Sequence, residues 1–70
     1  MSAKSVKIDT EYIRLGDLLK YAGAADSGGE AKAMIRDGKV LVNGEAELRR
    51  GRKLRPGDRV ETGRMSLTVE

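Results

Sequence analysis

The sequence predicts an α+β fold in which two helices pack on a small, mostly antiparallel, twisted sheet. Apolar and polar residues alternate near both ends of the chain, as they do in strands that bury one face. Between these ends, two segments repeat apolar residues at helical spacing. Gly and Pro turn signals separate the remaining short apolar runs. The predicted order is therefore one strand, two helices and then several strands.

Each of the two helices has an apolar face and an end signal. The first is predicted over about 14–22, where Gly23 follows a face formed by Leu15, Leu18, Leu19 and Ala22. The second begins at Ser27, because Ser27 and Glu30 form an S-x-x-E capping box. It ends before Gly38 and its apolar face consists of Ala31, Met34 and Ile35.

The strands are predicted from short alternating runs and the turns between them. Val6 and Ile8 indicate the first strand, and Val40–Val42 indicates another, which ends at the tight-turn pair Asn43-Gly44. A second turn is expected at Pro56-Gly57-Asp58, followed by a strand at Val60. The last strand contains Met65, Leu67 and Val69. The stretch 45–55 is polar and basic, and no strand is predicted there.

Composition excludes most catalytic chemistry. The 70 residues are enough for one domain, 1–70, with a thin core, and they include no cysteine and no histidine. Disulfides, thiolates, the commonest general base and the commonest metal ligand are therefore absent. The acidic residues are scattered, so no metal site, cofactor or catalytic residue is expected. With only two tyrosines and no Phe or Trp, a protein that stacks many bases on aromatic side chains is not expected either.

The chain carries no signal for a membrane. No stretch is long and apolar enough to span a bilayer, and its first residues are not followed by an apolar signal core. We therefore expect a cytoplasmic protein, and we expect a monomer because nothing suggests an obligate oligomer.

The strongest functional signal is the basic loop, Arg49-Arg50-Gly51-Arg52-Lys53. No acid interrupts it, so its charges should repel one another unless a polyanion neutralises them. Phosphates meet this requirement, and their binding releases counterions. The alternative is a solvated loop that only aids solubility. We interpret Arg49, Arg50, Arg52 and Lys53 as one half of a phosphate-binding surface.

The other half is predicted at the second helix. The small residues Ser27, Gly28 and Gly29 precede its unpaired N–H groups, where the helix dipole favours an anion. Lys32 and Arg36 share one helix face, and Lys39 follows just after the helix. An ordinary capped helix with a solvated face is the alternative. Asn43 is chiefly a turn residue that could also present its amide to RNA.

The spacing of several motifs resembles the RNA-binding domain of ribosomal protein S-four, also called the alpha-L RNA-binding motif. The likeness runs from about residue 13 to 62 and includes Arg14-Leu15, Leu18-Leu19, Val42-Asn43-Gly44 and Gly57-Asp58. It is greatest to small stand-alone bacterial proteins of this type, through Thr10–Ile13, Ser27-Gly28-Gly29 and Arg49–Leu54. The resemblance implies two helices on a small sheet and a role in gripping structured RNA, such as ribosomal RNA or tRNA, without catalysis.

Two positions depart from that family pattern. Gly28 stands where the family usually has arginine after the capping serine, and Gly16 stands where it usually has aspartate. The first departure removes one expected phosphate or base contact, which the basic loop could replace.

Two other interpretations stay open at this point. The chain could be a protein-interaction module that docks on ribosomal or RNA-processing proteins, or it could bind duplex DNA. Steep salt dependence on naked RNA would favour the RNA reading. Residues 42–45 and 54–60 also resemble ubiquitin-like sulfur carriers, but the chain ends Thr68-Val69-Glu70 and not in the Gly-Gly such carriers need, so no carrier activity is expected.

Overall fold

The computed structural model describes residues 2–70, so Met1 of the predicted 1–70 domain lies outside the described residues. Nine elements follow one another along the chain: β1 (Ser2–Val6), β2 (Ile13–Arg14), α1 (Leu15–Tyr21), α2 (Gly28–Arg36), β3 (Leu41–Val42), β4 (Glu45–Ala46), β5 (Lys53–Leu54), β6 (Arg59–Glu61) and β7 (Met65–Val69). The predicted α+β class and its two helices are confirmed.

The strands form two sheets. The main sheet has the order β1-β7-β6-β3-β4, and β2 pairs with β5 in a separate two-stranded ribbon. Only the β1–β7 pair is parallel, so the expectation of a mostly antiparallel sheet is confirmed. The first strand lies earlier than expected and ends at Val6, although the Ile8 N–H still donates to the Glu70 carbonyl at 2.9 Å.

The second helix has the caps that its sequence predicts, with one difference. The Ser27 hydroxyl accepts from the Glu30 N–H at 3.2 Å, as a capping box requires. The Glu30 carboxylate does not return to Ser27 but accepts from the Asp26 N–H at 3.0 Å. At the other end, Gly38 has φ +73°, and the N–H groups of Gly38 and Lys39 donate back to Ile35 and Met34. These two hydrogen bonds together form the Schellman motif that ends many helices.

Both predicted turns form where the sequence placed them. Asn43 and Gly44 have φ values of 51° and 89°, which suits the two-residue turn between β3 and β4. Gly57 has φ 100°, and the Asp58 N–H donates to the Arg55 carbonyl at 3.0 Å. The prediction of no strand over 45–55 is wrong, because this stretch contains the short strands β4 and β5.

The core lies between the helix pair and the main sheet. The helices supply Leu15, Leu18, Leu19, Ala31 and Ile35, all nearly inaccessible to solvent. The strands and the residues beside them supply Val6, Val40, Val42, Leu54, Val60, Leu67 and Val69. Burial of each such aliphatic side chain contributes roughly 1.5–3 kcal/mol, so this cluster is the main stabilising term of so short a chain. The helices are thereby fixed against the sheet with their polar faces outward.

Candidate nucleic-acid interface

The basic loop is fastened to the start of α1. This helix has no side-chain cap at Arg14. Instead, the Leu15 N–H donates to the Arg52 carbonyl at 2.9 Å and the Gly16 N–H donates to the Arg50 carbonyl at 3.0 Å. The loop backbone therefore supplies acceptors for the first N–H groups of α1, which otherwise lack intrahelical partners. In return, the helix fixes the loop's position.

Glu47 organises the inner side of the loop. Its carboxylate accepts from the Arg49 N–H at 3.1 Å, from Arg49 Nε at 3.0 Å and from Arg49 Nη2 at 3.1 Å. It also accepts from Arg52 Nη1 at 2.8 Å. The expectation that only a polyanion could neutralise the loop is thus wrong for Arg49 and Arg52. Glu47, which is separated from the uninterrupted basic run by Leu48, is only 8% exposed and pairs with both of them, so that one of their two positive charges is balanced inside the fold.

These bonds also set the ionisation of Glu47. The hydrogen bonds from Arg49, and after them those from Arg52, lower the pKa of Glu47 to about 2. The same contact raises the pKa of Arg49 above its usual value. Glu47 therefore stays ionised throughout the neutral and mildly acidic range, and the inner side of the loop remains paired.

Arg50 is directed differently. Its side chain crosses Gly16 so closely that a Cβ at residue 16 would lie 2.6 Å from Arg50 Cγ. This contact explains why α1 has a glycine in its first turn. Within residues 2–70, no carboxylate lies within ion-pair distance of Arg50. Arg50 is exposed, and its charge is available to a ligand.

Arg50 borders a cleft of about 480 Å³ between α1, the start of α2 and the basic loop. We call it the cationic cleft. The residues that line it include Arg14, Lys20, Arg50, Asp17, Gly28 and Gly51. Three cations thus come from three places: the end of β2, the last turn of α1 and the loop. Asp17 is the single acid in this lining.

The glycine after the capping serine matters for this cleft. A Cβ at Gly28 would lie 3.9 Å from Lys20 Cδ, so the start of α2 lies against the lysine of α1. The first N–H groups of α2 and its dipole favour an anion at this end. Gly28, at the N-terminal end of α2, and Arg50 therefore line the same cleft. An arginine at residue 28 would place one more cation beside Lys20.

The remaining predicted residues are distributed over other parts of the surface. Lys32 and Arg36 are exposed on α2, and Arg36 Nε lies 3.5 Å from Asp37 Oδ1. Lys39 borders a different groove, together with Met34 and Arg64. The predicted stripe of Lys32, Arg36 and Lys39 therefore does not continue as one lining into the cationic cleft.

Asn43 is occupied within the fold. Its Nδ2 donates to Asp58 Oδ1 at 3.1 Å, and its Oδ1 accepts from the Arg59 N–H at 3.0 Å. The pKa of Asp58 is lowered, first by the bond from the Arg55 N–H and also by that from Asn43. The turn role that the sequence favoured for Asn43 is the one its contacts describe.

Comparison with known proteins identifies the family. The model of the S4 domain matches residues 6–70. The chain belongs to the S4 domain family. This match extends beyond the predicted motif core of 13–62 on both sides.

Two bacterial relatives support the assignment. RlbA of Bacillus subtilis (strain 168), named as a candidate ribosome maturation protein, is 52% identical over 59 residues, covering 84% of this chain and 83% of the relative. YbcJ of Escherichia coli (strain K12), named as a candidate RNA-binding protein, is 38% identical over 58 residues, covering 83% of each.

Two cations of this S4 domain were missed as site residues by the sequence reasoning. Arg14 was noted only as part of a motif, and Lys20 was not singled out. The available signal was that Asp17 and Lys20 lie three residues apart on exposed positions of the predicted first helix and that Arg14 stands at its start. The sequence does not show that Arg14 and Lys20 lie beside Arg50, because this depends on how the basic loop packs against α1.

The Tyr12 ring contacts two cations, Arg14 of the cleft and Lys53 of the basic loop. Lys53 Nζ lies 4.8 Å from the centre of the Tyr12 ring, and Arg14 Cζ lies 5.8 Å from it. Arg14 and Lys53 are cross-strand partners in the β2–β5 ribbon. Cation–π attraction of this kind contributes about 0.5–1 kcal/mol at exposed sites. The contact therefore orients Lys53 beside the ribbon, next to the edge of the cleft formed by Arg14.

Neither a candidate metal site nor a candidate membrane span is present in the part of the chain that the structure describes. Residues 2–70 contain no group of His, Cys, Asp or Glu that could hold a metal ion. None of the helices in this range is long and apolar enough to cross a membrane.

Proposed function

We propose that this S4 domain is a non-catalytic RNA-binding protein of the cytoplasm that grips structured RNA through the cationic cleft. The observation that carries this proposal is the convergence of Arg14, Lys20 and Arg50 from separate segments on one cleft. A polyanion gains from such a site because each neutralised phosphate releases counterions.

The shape of the cleft supports structured RNA over an extended strand. The backbone positions of its cations are held by α1 and by a loop whose carbonyls are bonded to α1, so the spacing of these positions is set before a ligand arrives. Rigid phosphate contacts of this kind read the shape of a nucleic acid more than its base sequence. The name of the relative RlbA refers to ribosome maturation, so we propose ribosomal RNA as the first target to test, with tRNA as the second.

The test compares two double variants that each remove two positive charges. In the first, Lys20 and Arg50 are changed to alanine, which empties two cationic positions of the cleft. In the matched control, Lys39 and Arg64 are changed to alanine, and both of these border the other groove. Binding to ribosomal RNA fragments and to duplex DNA of equal length is measured at two salt concentrations.

The cleft variant should lose about 30-fold or more in RNA affinity, and its salt slope should fall by roughly two units, about 0.9 for each lost phosphate contact. The control should change both quantities by less than half as much. Equal losses in the two variants would show a diffuse basic surface instead of a site. Weak binding to all nucleic acids, with salt-insensitive capture of a ribosomal protein, would support the protein-docking alternative.

A further inference from the structure

An exposed aromatic side chain lies beside the cationic cleft. Tyr21, the last residue of α1, is 72% exposed, while most of the large apolar side chains are buried. Together with Ile13, Asp17 and Lys20 it lines a shallow, open pocket with a volume of about 400 Å³. We call this pocket the tyrosine surface. Asp17 and Tyr21 are four residues apart, so they are neighbours on one helix face.

The tyrosine surface and the cationic cleft are continuous. Asp17 and Lys20 border both of them. Passing from the cleft across α1, a ligand meets Arg14 and Arg50 first, then Asp17 and Lys20, and then the Tyr21 ring with Ile13. A nucleotide presents matching groups in the same order, namely phosphate, ribose and base.

We propose that the tyrosine surface is a site for one unpaired nucleotide of the bound RNA. The base stacks on Tyr21 beside Ile13, the ribose lies at Asp17 and Lys20, and the phosphate lies in the cationic cleft. This inference rests on the proposed RNA-binding function and adds the class of RNA that the site takes. In a continuous A-form helix the base faces are covered by their neighbours, so only a bulge, loop or end can offer a base to the ring.

Asp17 gives the site a reason to select ribose. A carboxylate in a phosphate-binding cleft weakens binding through repulsion unless it meets a hydrogen-bond donor. The 2′-hydroxyl of ribose is such a donor, and deoxyribose lacks it. With a deoxynucleotide the repulsion remains without any compensating bond. Asp17 therefore acts as a specificity-determining residue for RNA over DNA.

The test uses three hairpins of the same ribosomal RNA fragment. One has a single bulged nucleotide, one is fully paired, and one has the bulge with a 2′-deoxy sugar at that nucleotide. Tyr21→Ala should weaken binding to the bulged hairpin about tenfold, within the range for loss of one stacked base, and leave the paired hairpin nearly unchanged. Tyr21→Phe should keep the wild-type affinity because it keeps the ring.

Leu48→Ala serves as the matched control for lost apolar area. Leu48 is 64% exposed and does not border the tyrosine surface. This control should bind the bulged hairpin as the wild type does. Asp17→Ala should bind the 2′-deoxy hairpin more tightly than the wild type, because uncompensated repulsion is removed, and should bind the ribose hairpin about as tightly as the wild type, because the repulsion and the compensating bond are lost together. It should also lose the preference for ribose, which we expect to be about fivefold in the wild type.

A direct readout is available because the chain has only two tyrosines and no tryptophan. Tyr12→Phe leaves Tyr21 as the sole emitter and keeps the ring that contacts Lys53. The Tyr21 fluorescence of this variant should be quenched by the bulged hairpin and not by the paired one. Equal quenching by both would overturn the nucleotide site.

The two proposals fail in different ways. If the Lys20/Arg50 double variant loses affinity for every hairpin while Tyr21→Ala binds the bulged one like the wild type, RNA binding stands and the nucleotide site is overturned. If Tyr21→Ala weakens paired and bulged hairpins equally, the ring is a general contact and the site is likewise overturned. Failure of the wild type to bind any hairpin in a salt-sensitive manner would overturn both proposals.

Discussion

Arg50 and Arg52 are two residues apart in one loop, yet their side chains lie in opposite electrostatic surroundings. Arg52 donates to the buried carboxylate of Glu47 at 2.8 Å, and Arg49 shares that acceptor. Arg50 lies across Gly16 toward the cationic cleft, and no carboxylate of residues 2–70 pairs with it. The inner arginines fix the loop, and the outer one offers its charge to a ligand.

This difference shows why counting charges overestimates a binding site. Five basic residues lie within 49–55, but one glutamate pairs with two of them and balances one of their charges without interrupting the basic run. Charge that is paired inside the fold releases few counterions when a phosphate arrives. The comparison between inner and outer arginines can be tested by four measurements, ordered from the largest expected effect to the smallest.

Removing the acceptor of the inner arginines should have the largest effect. Glu47→Ala should lower the free energy of unfolding by about 2–3 kcal/mol, because charge-assisted hydrogen bonds contribute roughly 1.5–3 kcal/mol. Denaturant unfolding measures this change. The matched control is Glu45→Ala in β4, an exposed glutamate that should change stability by less than about 0.5 kcal/mol. Equal stability of the two variants would contradict the role given to Glu47.

Single substitutions in the loop should separate binding from stability. Arg50→Ala should weaken RNA binding about tenfold and lower the salt slope by roughly one unit, with stability unchanged. Arg52→Ala should measurably lower the free energy of unfolding. It should change the salt slope by less than half as much as Arg50→Ala does. Fluorescence anisotropy at several salt concentrations distinguishes them, and identical slopes would remove the distinction between inner and outer arginines.

The contact between Gly16 and Arg50 predicts that one substitution affects stability and RNA binding in opposite directions. Gly16→Ala should keep or raise helix stability, by up to about 1 kcal/mol, since glycine is a poor helix former. It should also weaken RNA binding several-fold, because its Cβ displaces the Arg50 side chain. Gly63→Ala, where an added Cβ meets nothing within 4 Å, is the control and should leave binding unchanged. Unaltered binding by Gly16→Ala would show that the Arg50 position is unimportant.

The smallest effect is on the acid side of the stability profile. The pKa of Glu47 is lowered from 4.5 to about 2 by its arginine partners. A lowered folded-state pKa stabilises the protein above the unfolded value, and this contribution is lost as the pH falls through the folded value. The difference in unfolding free energy between wild type and Glu47→Gln should therefore narrow as the pH drops from about 5 to about 2. A difference that stays constant over this range would contradict the assignment.

Local signals decided how well each part could be predicted. The Ser27 cap, the Gly38 ending and the Asn43-Gly44 turn depend on backbone geometry within a few residues, so their residue types predict them directly. The short strands β2 and β5 have two residues each, too few for a strand period to be visible. Their pairing depends on contacts between residues about 40 positions apart.

The sequence likewise predicted some residues of the candidate site and missed or misplaced others. The sequence identified Arg50 and Gly28 but placed Lys39 with them, although Lys39 borders a different groove. Helical spacing shows which residues share a face of one helix, and it contains no information about which other segment lies opposite. Arg14 and Lys20 could be recognised as site residues only once the loop was known to return to α1.

By itself, the sequence determined the α+β class, the two capped helices, the turns, the basic loop and the family resemblance, because each follows from composition or from residues close in the chain. Only the tertiary structure decided that β1 and β7 pair in parallel, that Glu47 binds two arginines of the loop, and that Arg14, Lys20 and Arg50 share a cleft. These last features are choices among many possible partners for the same charged groups. Packing of the apolar core settles those choices, since it fixes which segments meet.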